Sequence, residues 1–175
     1  MKKTIGIFLM LVSVVVFGLQ MSESIVFKQN VSGYLKRAAD ANTVELAEME
    51  LTKAIDYLEA NELTSGYTSV FWKTPNEDIG FWYKNLKASQ QELQNLESDS
   101  PMEITNVLIN LRETLLDVGE RTRVTVPKGI SHYPHNGRSG TLALGSGIML
   151  ISGFAVFAAG FSPKASSETT TPTTA

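Results

Sequence analysis

The sequence predicts an all-α fold: a small antiparallel bundle of three to four helices, set between an N-terminal signal-anchor-like segment and a C-terminal transmembrane helix. Three observations carry that prediction. Two apolar runs, residues 5–19 and 140–161, contain no charged side chain. Between them, three stretches repeat apolar residues at three- and four-residue steps, each behind a helix start signal. Residues 22–119 hold no alternation of apolar and polar residues of the kind a half-buried strand shows.

The first apolar run, Ile5 to Leu19, follows Lys2 and Lys3. Its helix would span about 22 Å at 1.5 Å per residue, short of a hydrocarbon core of roughly 30 Å. That length suits a signal-peptide core as well as a membrane anchor. The small pairs at cleavage spacing are Val16 with Gly18 and Ser22 with Ser24, and neither is the usual Ala-x-Ala. Residues 1–21 are therefore read as an uncleaved anchor in preference to a signal peptide. The helix could also continue into Ser22–Phe27, lengthening the anchor.

Residues 22–119 are expected to form the bundle. Asn42 is the expected N-cap of one helix, with Glu45 as its capping-box partner. Val44, Ala47, Leu51, Ala54, Ile55 and Leu58 then trace one apolar face as far as Asn61, with Glu48, Glu50, Asp56 and Glu59 on the wet side. A second helix starts at Thr74-Pro75-Asn76-Glu77 or after Asp78, its apolar side marked by Ile79, Trp82, Tyr83, Leu86, Leu93 and Leu96. The third starts at Ser100-Pro101-Met102-Glu103 and follows Ile104, Val107, Leu108, Leu111, Leu115 and Val118 until Gly119 closes it. The short link before it folds these two back as an antiparallel pair. Residues 23–41 offer a weaker fourth helix, interrupted at Gly33, which could continue directly from the first apolar run.

The second run, Gly140 to Phe161, has the length of a tilted transmembrane helix, and residues 139–161 are assigned to it. Ser139, Ala143 and Gly147 fall four residues apart, a small-residue stripe along which another helix could pack closely. Pairing with the first segment, self-association and mere transmembrane composition all remain open from this pattern.

The net charge of −3 is a sum of unlike parts. Residues 22–119 carry 8 basic against 16 acidic side chains, an acidic domain that would repel nucleic acid. Residues 120–138 form a basic juxtamembrane linker in which Arg121, Arg123, Lys128 and Arg138 could meet anionic headgroups at about 1 kcal/mol each. Lys2 and Lys3 favour a cytoplasmic N-terminus, which would send the long region between the spans across the membrane; such regions translocate largely regardless of their charge. The tail, residues 162–175, is rich in Ser and Thr and expected to be disordered. The chain contains no Cys.

Chemistry-bearing residues are few. Tyr67, Phe71, Trp72, Phe81, Trp82 and Tyr83 concentrate six aromatics within 67–83. They either plug one end of the bundle or present contacts for a partner or ligand. Glu77 and Asp78 are adjacent carboxylates, more simply explained by the positive end of a helix than by acid–base catalysis. His132 and His135 are weak metal candidates, because Pro134 argues against a helical ligand face. No phosphate loop, zinc helix or nucleophile elbow occurs, and neither a cofactor nor an enzymatic activity is expected.

In layout the chain resembles the sensing half of bacterial transmembrane receptors, whose four-helix domains sit between two spans. That resemblance implies a ligand-binding module, yet only fourteen residues follow Phe161, so no output domain is expected. The reading preferred from the residues is a membrane-tethered helical interaction module of the plasma membrane. Its bundle would lie outside the cytoplasm, in contact with membrane lipid and with a protein partner or a second copy. A sensor-like module using the aromatic loop is the alternative, and a membrane-bound enzyme or metal protein the remaining one.

Overall fold

The structure is a computed structural model, and it describes residues 2–97, 100–119 and 122–161. Arg121 and the tail from residue 162 lie outside the described residues. Helix α1 spans Lys2–Phe27, passes through one wide π turn at Lys28–Ser32 and resumes as α2, Gly33–Ala39. The weak helix expected at 23–41 is thus the continuation of the first apolar run. The remaining elements are α3 (Val44–Ala60), α4 (Ile79–Gln94), α5 (Pro101–Leu115), strands β1 (Leu116–Val118) and β2 (Thr122–Val124), and α6 (Asn136–Ala159). An antiparallel helical bundle with two long apolar helices, one near each end of the chain, is the observed architecture. By its contacts the chain divides into two compact units.

The larger unit, residues 19–141, is built on α1's end, α2, α3, α4 and α5. The α3 cap is Thr43, not Asn42 as the sequence pattern predicted. Thr43 has the extended backbone a cap needs, and its Oγ1 accepts the Leu46 N–H at 3.3 Å. Of the two possible starts for α4, the structure uses the later. Pro75–Glu77 forms a separate 3₁₀ turn, and Asp78 Oδ1 then caps α4 by accepting the Phe81 N–H at 3.0 Å. Side-chain pairs fix α3 and α4 as antiparallel: Glu48 with Gln94, Thr52 with Gln90, Glu59 with Tyr83. Helix α5 packs against α2, α3 and α4.

Val31, Leu35, Leu51, Ile55, Leu58, Ile79, Leu86 and Leu115 are fully buried, so the π turn and four helices all supply the core. Each such side chain contributes about 1.5–3 kcal/mol relative to exposure. One expected surface residue lies inside. Glu50 is buried against α2, where its Oε1 meets Arg37 at 2.9 Å and Lys53 at 3.0 Å. Both cations reach solvent, so the carboxylate is neutralised from the rim.

Helix α5 also ends sooner than its pattern implied. Leu116 and Val118 keep helical spacing, but Leu116–Val118 pairs antiparallel with Thr122–Val124, and the Thr125 N–H donates to the Leu115 carbonyl at 2.8 Å. The segment Thr122–Val126 alternates in period two, and that partner strand captures residues the helix would have taken. The basic linker is partly folded. It holds β2 and a 3₁₀ turn at Ile130–His132, and α6 already begins at Asn136.

The smaller unit comprises residues 2–18 of α1 and the described part of the chain from Leu142. The two helices run antiparallel, Gly6 against Gly153 and Ser13 against Ser146. Apolar side chains cover the rest of their circumference and face outward: Phe8, Leu11, Leu144, Ile148, Ile151 and Phe154 are all at least 60% exposed. Both helices are long and apolar enough to cross a membrane. A core helix of a water-soluble fold would be covered by protein; these are not.

Candidate functional site

The α3–α4 connector closes on itself where Tyr67 and Asp78 bridge, with Thr68 N–H donating to Glu77 O at 3.0 Å and Ile79 N–H to Gly66 O at 2.9 Å. This hairpin-like closure scatters the six aromatics. Trp82 turns into the core, and its indole N–H donates to the Thr125 carbonyl at 2.8 Å, tying α4 to the chain after β2. Tyr83 is half-buried and donates its hydroxyl to Glu59. Tyr67 is half-buried beneath the Lys73 ammonium, 5.1 Å from its ring centre. Phe81 is exposed. Phe71 and Trp72, with ring centres 6.1 Å apart, stand 85% and 81% exposed at the loop tip. The cluster therefore separates into core residues and a bare tip.

Around Tyr83 the electrostatics are local. Burial first, and then the bond to Glu59, push the Tyr83 hydroxyl up to about 12. Acceptance of that hydroxyl bond holds the Glu59 carboxyl below its usual value against a smaller opposing effect of burial, with help from the Lys87 ammonium at 3.5 Å. The expected carboxylate pair has structural work: Asp78 caps α4, and Glu77 accepts from Thr74 Oγ1 at 2.7 Å.

The histidines border a cleft of about 310 Å³ lined by Glu23, Tyr57, Asn61, His132 and Tyr133 among others. His132 Nδ1 lies 2.7 Å from Glu23 Oε2, linking the turn before α6 to α1. His135 reaches the same cleft but is exposed. Among the described residues no group of three His, Asp or Glu side chains converges, and Glu23 with His132 falls short of the three protein ligands a catalytic zinc uses. Sequence reasoning missed Glu23, Tyr57 and Asn61, because only folding brings α1 and the end of α3 to the segment 130–135. Gly66, at φ +102°, also belongs to this junction: a side chain there would overlap the Tyr133 hydroxyl.

Among the basic residues, Arg123 lies in β2, Lys128 in the turn before Ile130, and Arg138 in the first turn of α6; all three are exposed. The small-residue face of α6 differs from the expected stripe. Ser139 does meet α1, its carbonyl accepting from Gln20 Nε2 at 3.4 Å. Ala143 and Gly147 are exposed and border a groove beside Val14 and Phe17 of α1, and a methyl group on Gly147 would meet nothing within 4 Å. Contact passes instead through Ser146, whose carbonyl accepts from Ser13 Oγ at 2.5 Å, and through Gly153. A methyl group on Gly6 would fall 2.7 Å from the Gly153 carbonyl oxygen, so backbone approaches backbone at this crossing. No protein-family model, curated protein or solved structure matches the chain.

Proposed function

We propose that this chain is a membrane-tethered helical interaction module. Both long apolar helices span the plasma membrane, and the bundle lies outside the cytoplasm and docks a protein partner. The observation that carries the partner reading is the outer side of α5. This helix packs Val107, Leu108, Leu111 and Leu115 against the core, while Met102 and Ile109, seven residues apart and so close together on the opposite side, are 73% and 48% exposed. An amphipathic helix left half-covered in a small bundle is a surface on which another protein's apolar side chains gain burial.

A photo-crosslinking residue at Ile109, activated in native membranes and followed by mass spectrometry, should give one dominant adduct. That adduct would be another membrane protein or a second copy of this chain. Recovery of uncrosslinked monomer alone, with Ile109→Asp leaving the cellular phenotype unchanged, would sink the reading.

A further inference from the structure

We infer that Val70, Phe71 and Trp72 form a lipid-interface anchor: the tip of the α3–α4 connector inserts among the headgroups and upper acyl chains of the bilayer that α6 enters. The inference rests on reading α6 as a membrane span. Three observations lead to it. The tip is bare, with Val70 54%, Phe71 85% and Trp72 81% exposed, whereas Trp82, ten residues on, is buried. The tip is also held at one place on α6. Asn136 Nδ2 donates to the Thr68 carbonyl at 2.7 Å and to the Gly129 carbonyl at 2.9 Å. One residue later, a methyl group on Gly137 would sit 3.5 Å from Val70 Cγ1. The loop is thereby fastened to the first turn of α6, three residues before the uncharged run that starts at Gly140.

Third, the residue types fit that depth. Trp combines a large apolar ring with one N–H donor, and it concentrates where hydrocarbon meets headgroup because one end can stay wet. Phe71 and Val70 bring apolar area alone, and the exposed Lys73 and Arg138 flank them with cations suited to anionic headgroups. In water the three side chains would expose a contiguous apolar patch with nothing to bury it. At the interface they lose that exposure. Lipid is favoured over a protein as occupant because the tip is tied to the membrane-entry turn of the span.

The experiment uses the full chain in phospholipid vesicles carrying bromine either just below the headgroups or at the acyl chain ends. Trp72 emission is isolated as the difference between the intact protein and the Trp72→Phe variant; both residues are exposed, so the fold is preserved. Expected are a blue-shifted Trp72 emission and a loss of it that is greatest with bromine near the headgroups. Water-like, unquenched Trp72 emission from chain that resists alkaline carbonate extraction overturns the anchor while leaving the spans intact. A protein occupant would give this same result, since the vesicles contain none. Chain that carbonate extracts from the vesicles overturns the span reading and the anchor with it.

Discussion

At the Tyr83–Glu59 pair two titrations are displaced in opposite directions: burial and then the shared hydrogen bond raise Tyr83, and the same bond lowers Glu59. Tyr83 in the folded chain titrates above its ordinary 10.0, so its share of stability is complete below pH 10 and fades as pH rises toward about 12. Glu59 titrates below its ordinary 4.5, so its share is present above that value and fades as acid carries the pH through the lowered one. Tyr83→Phe removes the first cause of the Glu59 displacement. The Glu59 carboxyl should then titrate closer to 4.5, measured by NMR of the carboxyl carbon, and unfolding between pH 10 and 12 should lose part of its pH dependence. An unmoved Glu59 titration would assign the displacement to Lys87 alone. This pair was not legible beforehand. Tyr83 carried an aromatic signal and Glu59 a surface one, and only the antiparallel register of α3 on α4 brings them together.

The helices themselves were the most legible part, because a buried face imposes its period on local sequence. Leu51, Ile55 and Leu58 needed no distant information to be recognised as interior. The hairpin at 116–124 was hidden for the converse reason: Leu116 and Val118 satisfy helical spacing, and their strand partner lies beyond a turn. The seam between the two apolar helices follows a seven-residue step, which the four-residue stripe Ser139, Ala143 and Gly147 does not trace. Seven residues return about 20° short of two full turns, whereas four overshoot one turn by about 40°. Ser146 and Gly153 therefore stay near one face, as Gly6 and Ser13 do, while Ala143 and Gly147 swing away from the line of Ser139. Cysteines at Ser13 and Ser146 should form a disulfide in a chain otherwise free of cysteine. Adding Gly153→Leu should abolish most of that disulfide, because the crossing has no room for the side chain, whereas Gly147→Leu should leave it intact. Equal yields from both variants would refute the seam. Ser13→Ala should cost the helix pair only about 0.6 kcal/mol, a typical value for a hydrogen bond between membrane helices.

At the scale of the whole chain, charge makes a prediction about sides. Lys2 and Lys3 open α1, and on the proposed reading the positive-inside tendency would hold that end in the cytoplasm and the bundle on the far side. A cysteine replacing Glu97, an exposed residue in the α4–α5 connection, should react with a membrane-impermeant maleimide in intact cells. Protection until lysis would put the bundle in the cytoplasm. The two long apolar helices were readable early because apolar length is a property of composition along the chain. The cleft at His132 was not, since it joins residues 23, 57 and 132 with no shared motif.

The Ser13–Ser146 contact also has a history in time. Its two residues are 133 positions apart, and ribosomes add about 5–20 residues per second. In a membrane, α1 thus spends on the order of ten seconds without α6. Throughout that interval Gly6 and Ser13 face lipid with an open backbone and an unspent hydroxyl. If the chain sits in a bilayer as proposed, another small-faced helix there could occupy them first, and the order of synthesis would make the seam a point of competition between completing this chain and joining it to another.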